Sequence, residues 1–133
     1  MKRCLPIAAA LLLAACSSII STPTPPPASG IQRTILQRTD LEGGREAILG
    51  LAVIAPGVAA GKHTHPGVET GYVIEGTASL EIEGQEPKII RAGDSYLIPA
   101  GKVHDAKTVG SSPVKVLATY IVEKGKPMAM PVK

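Results

Sequence analysis

From residue 31 onward the chain is a series of short apolar runs cut by turns. Residues 34–37 form a short first run, and 40–44 (Asp-Leu-Glu-Gly-Gly) a turn-rich loop. A longer run over 46–55 carries Ile48, Leu49, Leu51, Val53 and Ile54 and is closed by Pro56-Gly57. Further runs cover 71–74, 78–83, 88–91, 95–98, 104–109 and 114–122. Glu75-Gly76, Gly84-Gln85, Ala92-Gly93, Pro99-Ala100-Gly101 and residues 110–113 separate them, and such dipeptides mark turns. Strands spaced about eight to twelve residues apart predict an all-β sandwich or barrel. Ser79-Leu80-Glu81-Ile82-Glu83 alternates polar and apolar, so one face of that strand is wet and the other buried. No run carries a helical stripe, and no internal repeat of the domain is visible. Gly57, Gly76, Gly93 and Gly101 fall where a tight turn needs positive φ or no side chain.

The N-terminus follows another pattern. Lys2 and Arg3 precede an apolar run from Leu5 to Leu13, broken only by Pro6, and Ala14 and Ala15 precede Cys16. That is the layout of a signal peptide over residues 1–15. The run is too short to span a bilayer, which takes about 20 residues. An ordinary secretory signal with an incidental Cys16 is the plainer reading. Leu13-Ala14-Ala15-Cys16, however, resembles the lipobox of bacterial lipoproteins. The resemblance implies diacylglycerol on the Cys16 sulfur and, because several acyl chains act together, stable membrane anchoring. Ser17 in place of Asp implies, by the same resemblance, the outer membrane facing the periplasm if the source is Gram-negative. Residues 16–30 then read as a Pro- and Ser-rich tether. Its prolines favour polyproline II, roughly 28 Å from Thr22 to Gly30 if fully extended. Residues 31–133 are left as a single domain, as the length allows.

Composition sharpens this. The chain is 44% hydrophobic yet has no Phe, no Trp and three Tyr, so its core is aliphatic, and β-branched residues favour sheet. With Lys2 and Arg3 set aside, twelve basic side chains face eleven acidic ones. The basic residues are scattered, and stacking aromatics are absent, so nucleic acid is not an expected partner. Cys4 leaves with the signal and Cys16 is taken by lipid. The mature domain then has no thiol for a disulfide or for cysteine catalysis.

The chemistry lies between Gly57 and His104. His63, His65 and His104 are the only histidines. Residues two apart on a strand point to one face, so His63 and His65 aim together. Pro66-Gly67 turns the chain, Glu69 re-enters beside them, and His104 arrives from a neighbouring strand after the Pro99-Ala100-Gly101 turn. Three imidazoles and one carboxylate are a ligand set for one divalent transition metal. Fe, Mn, Ni, Co, Cu and Zn all suit it. Alternation puts Gly71, Val73, Ala106 and Thr108 on the metal face. It turns Lys62, Lys102, Asp105 and Lys107 mostly to solvent. Asp94 reads as a turn residue. Of Tyr72, Tyr96 and Tyr120, Tyr96 is best placed to reach the pocket.

These spacings resemble the cupin family. The first cupin motif is met by Gly57, His63, His65, Glu69 and Gly76, and the second by Gly93, Pro99, Gly101 and His104. The second motif departs at its last position, where Thr108 stands for the usual Asn, and this puts the packing behind His104 in question. The short stretch 77–92 between the motifs is similar to that of small single-domain bacterial cupins. The resemblance implies a double-stranded β-helix, or jelly-roll barrel, with metal on the four ligands. It also allows Glu69 a role as base.

With small or apolar neighbours and no second acid–base cluster, any catalysis rests mostly on the metal. A dioxygenase-like oxidoreductase acting on a small aromatic or enolic molecule is the first expectation. A non-catalytic metal or small-ligand binding module at the membrane is the alternative. An isomerase or lyase on a sugar-like substrate is the third. A homodimer is expected, because small cupins commonly pair and an aliphatic chain exposes an apolar sheet face. The tail from Lys124 to Lys133 reads as a strap over the barrel.

Overall fold

The protein is described by a computed structural model covering residues 30–133. The signal segment 1–15, Cys16 and tether residues up to 29 lie outside the described residues. In chain order the strands are β1 (Ile31–Leu41), β2 (Arg45–Ile54), β3 (His63–Thr64), β4 (Gly67–Glu75) and β5 (Thr77–Ile82). They continue as β6 (Lys88–Arg91), β7 (Ser95–Ile98), β8 (His104–Thr108), β9 (Val114–Glu123) and β10 (Met130–Pro131). Two five-stranded antiparallel sheets result, ordered β1-β2-β9-β4-β7 and β10-β3-β8-β5-β6. The expected all-β single domain is therefore present, and the described residues contain no helix.

Alternation builds the interior. Val114, Val116, Ala118, Tyr120 and Val122 of β9 all point inward. They meet Ile48, Val73, Ala78, Leu80, Ile90 and Ile98 in one aliphatic cluster. Gly57, Gly76, Gly93 and Gly101 all have positive φ, as their turns require.

β1 differs from expectation. The short run 34–37 is part of an eleven-residue strand, and Asp40 and Leu41 belong to it rather than to a loop. Its length comes from the ladder with β2, which runs from Ile31↔Ile54 to Leu41↔Arg45 with one irregularity at Leu36. Ten of its residues are exposed, so the apolar pattern gave no sign of it. Glu69 likewise lies inside a strand, because β4 begins at Gly67. A Cβ on Gly67 would collide with the Ile121 carbonyl of β9. Glycine there lets β4 close onto β9 directly after Pro66.

Thr108 departs most from its reading. It is buried and lines no cavity wall beside the ligands. Its hydroxyl accepts a hydrogen bond from Val58 N at 3.1 Å and directs its one proton toward the carbonyls of Ala55 (3.1 Å) and Val58 (3.3 Å). Thr108 N donates to Val58 O at 3.0 Å. The side chain thus clamps the 55–58 turn onto β8, and the packing is closed without an amide. The C-terminal strap is ordered. Met130 pairs with Thr64 and Pro131 with His63, and Val132 N donates to Lys62 O at 2.9 Å.

Ile48 is fully buried. Ile48→Ala is expected to lower unfolding free energy by about 2–5 kcal/mol. Thr108→Val, which removes the hydroxyl's hydrogen bonds to the 55–58 turn while its backbone groups keep their other partners, is expected to lower it by about 0.5–1.5 kcal/mol. Urea denaturation measures both, and an unchanged midpoint in either variant contradicts the packing described.

Candidate metal centre

His63, His65, Glu69 and His104 converge, with one ligand atom from each lying within 4.8 Å of all the others. Both sheets contribute. β3 and β8 carry His63 and His104 as direct register partners, and β4 carries Glu69 between Ile98 of β7 and Tyr120 of β9. His65 lies just past β3 at the crossing from one sheet to the other. β3 is only two residues long, but the shared direction of His63 and His65 holds, since both rings line the same cavity.

Backbone carbonyls orient the rings. Nδ1 of His63 lies 2.6 Å from Gly61 O, that of His65 2.5 Å from Met128 O, and that of His104 3.0 Å from Lys102 O. A carbonyl only accepts, so each Nδ1 carries the proton and each Nε2 presents a lone pair. Nε2 of His65 lies 2.7 Å and Nε2 of His104 3.3 Å from Glu69 Oε2. Both of these nitrogens are buried and make no hydrogen bond of acceptable geometry. Acceptors this close, with no proton between them, repel in a low-dielectric interior. A cation among them reverses the sign of that interaction. Ligand bonds of about 2.1 Å let donors up to about 4.2 Å apart share one ion, and the four candidate atoms lie within 4.8 Å of one another. The residues fit a divalent transition metal.

Burial pulls His63 below its ordinary pKa. His104 moves the other way. Burial opposes its charge, but Glu69 and the Lys102 carbonyl outweigh burial and raise it. Burial would raise Glu69, yet Tyr96, together with His104 and His65 when their Nε2 atoms carry the protons a metal would displace, brings its carboxyl down to about 2.

Tyr96 reaches the site, as expected. Its hydroxyl donates to Glu69 Oε1 at 2.7 Å, leaving Oε2 for the metal side. Burial and then the Glu69 charge push this phenol well above the tyrosine range, so it stays protonated. Tyr96 is the register partner of Gly71, and its ring lies across the place where a Gly71 side chain would be. Gly71 is therefore on the metal side of β4, and Tyr96 covers it. Val73 is in the core, and Ala106 lines the cavity. Tyr72 points to solvent. Asp94 is a turn residue whose Oδ2 accepts from Arg91 N at 2.8 Å. Asp105 Oδ1 accepts from Gly61 N at 2.9 Å and so holds the turn before His63.

Three further contributors appear, of which the sequence reading weighs Tyr120 behind Tyr96 and does not single out the other two. Tyr120 lines the cavity and packs on the His65 ring with centroids 4.9 Å apart. Its inward position was readable from the alternation of β9. Met128 supplies the carbonyl that orients His65, and a backbone acceptor on a strap leaves no sequence signal. Arg33 of β1 is the third. The cavity has a volume of about 50 Å³ and is otherwise walled mainly by Ile, Leu, Val and Ala, which is room for only a few waters.

The cupin-domain family Cupin_2 matches residues 50–120, more than half of the chain. The chain belongs to the cupin family. This cupin is 38% identical over 69 residues to germin-like protein subfamily T member 3 of Arabidopsis thaliana, a match covering 48% of this chain and 30% of the plant protein. The DMSP lyase DddQ of Ruegeria pomeroyi superposes with a TM-score of 0.65 at 20% identity, over 77% of this chain and 52% of the lyase. An oxalate oxidase in complex with the substrate analogue glycolate superposes with a TM-score of 0.65 at 23% identity, over 87% of this chain and 62% of the oxidase. The chain thus spans less than two thirds of the length of each, and the two structural likenesses speak to fold alone.

Metal binding needs deprotonated imidazoles. Because the His104 pKa lies above its ordinary 6.5, protons compete early. Occupancy measured by elemental analysis after dialysis is expected to be full near pH 8 and to fall as pH is lowered, the metal holding off protons in proportion to its affinity. Occupancy that does not fall at all in strong acid contradicts the ligand set. Gly71→Ala is expected to lift Tyr96 off Glu69. Its tyrosine emission is expected to rise as the phenol leaves the quenching carboxylate, and unchanged emission contradicts the contact.

Proposed function

We propose that this cupin is a mononuclear-metal oxidoreductase, dioxygenase-like, acting on a small organic molecule. One observation carries the reading. Imidazole lone pairs and one carboxylate oxygen converge in a small, mainly aliphatic cavity whose other polar side chains are two phenols held protonated and Arg33. His63, His65, Glu69 and His104 would hold the metal. When bound, it supplies Lewis acidity and, if redox-active, electron exchange with dioxygen or substrate. Tyr96 fixes Glu69 in one rotamer and keeps Oε1 occupied. The aliphatic walls exclude water and strengthen every charge interaction inside. The fold likeness to an oxalate oxidase supports the reading.

The Tyr96–Glu69 contact favours one other reading. The Tyr96 hydroxyl, 2.7 Å from Glu69 Oε1, holds the carboxylate in place, and Glu69 acting as base toward substrate would serve a lyase. The fold likeness to a DMSP lyase is consistent with that.

The same proposal includes export and lipidation at Cys16, with the domain held at the outer membrane on the periplasmic side in a Gram-negative cell. The lipobox Leu13-Ala14-Ala15-Cys16 supports it. A homodimer would cover the outer face of the β1-β2-β9-β4-β7 sheet, where Tyr72, Leu97 and Ile121 stand exposed.

Untagged protein is expected to contain about one transition-metal ion per chain, and His63→Ala to lose it. Dioxygen uptake is expected with small enolic or hydroxy-acid substrates. Bound metal with substrate turnover but no uptake would favour the lyase, and full metal occupancy in His63→Ala would overturn the site. Cells fed labelled palmitate should label the wild type but not Cys16→Ser.

A further inference from the structure

β1 carries two arginines on its inward face, and they are treated differently. In register, Ile31 opposes Ile54, Arg33 opposes Ala52 and Arg38 opposes Ile48. Arg38 has a partner, since its Nε lies 3.3 Å from the buried Glu46 carboxylate. Arg33 stands one stretch nearer the metal ligands, on the wall of their cavity. Among the described residues no carboxylate lies within 4.0 Å of it. Residues 1–29 contain no Asp or Glu, so no acidic side chain elsewhere in the chain completes it. Its neighbours on the wall, Ile31, Ala52 and Ile54, are apolar. Arg33 is exposed, so its charge is hydrated and stays available to an anion that enters the cavity.

Arg33 lines the same cavity as His63, His65, Glu69 and His104. A divalent ion on three neutral imidazoles and Glu69 has a net charge of +1, and Arg33 adds another. The cavity is thus positive at two separated points with aliphatic surface between them. Its volume of about 50 Å³ admits only a molecule of a few heavy atoms.

We propose that Arg33 is the anchor for the carboxylate of a small organic acid, whose second oxygen faces His63, His65, Glu69 and His104. Resting on the metal-site reading above, this names the substrate class. The planar fork of the guanidinium receives both carboxylate oxygens. That places the rest of the molecule against the aliphatic wall and its α- or β-oxygen toward the ligands. An inward charge on an edge strand can also guard against edge-to-edge pairing. A guard needs only charge, whereas an anchor needs the fork.

The test uses the full metal-loaded chain and titration calorimetry with glycolate, lactate and the uncharged glycolamide. Glycolate or lactate is expected to bind at least tenfold more tightly than glycolamide. Arg33→Gln is expected to weaken the acids about 10- to 100-fold, the effect of losing charged hydrogen bonds, and to leave glycolamide unchanged. Arg33→Lys should recover only part of the loss. Size-exclusion chromatography of the variants reads any role as edge guard. Metal analysis of the same samples separates the two readings. A wild-type chain without metal strikes the metal centre. Normal metal content with equal binding of acid and amide, no binding of either acid, or undiminished acid binding in Arg33→Gln overturns the anchor.

Discussion

Three imidazole rings are turned by backbone carbonyls so that their remaining lone pairs meet at one carboxylate. Gly61 O, Met128 O and Lys102 O each take an Nδ1 proton, and so decide what the opposite nitrogen can do. The cluster is then made of acceptors facing acceptors, a poor arrangement for a buried site without a cation. Other features of the interior keep that arrangement from relaxing, since rotating any ring would break a hydrogen bond on its far side.

The supports come from distant parts of the chain. Tyr96 pins Glu69 from β7, which is possible because residue 71 has no side chain. Asp105 holds the amide of Gly61, whose carbonyl in turn orients His63. Thr108 ties the 55–58 turn to β8, the strand that carries His104. The C-terminal strap runs along β3 and delivers the Met128 carbonyl to His65. These links tie the C-terminal strap and the turns around the cavity to the geometry of the candidate ligands.

The chemistry of the cavity follows from what its walls lack. Aliphatic side chains offer no proton transfer, and the phenols beside Glu69 are pushed upward by burial and by its charge. With a divalent ion on the cluster, positive charge there and at Arg33 would favour anions in this small cavity. In the proposed reading, reaction type would be set at Glu69 and the histidines and substrate class at β1.

The sequence by itself determined the all-β class, most strand positions and the four ligands, because period-two alternation and glycine-marked turns are local properties. Two histidines at i and i+2 share a face wherever the strand goes, and the spacing to Glu69 and His104 follows the hairpins. The length of β1 was hidden because its residues are largely exposed and only the ladder with β2 makes it a strand. The clamp by Thr108, the ring of Tyr96 over Gly71, the carbonyl of Met128 and the place of Arg33 were all decided by tertiary structure. Each joins residues far apart in the chain, or uses a backbone group common to every residue, and neither leaves a pattern in one dimension.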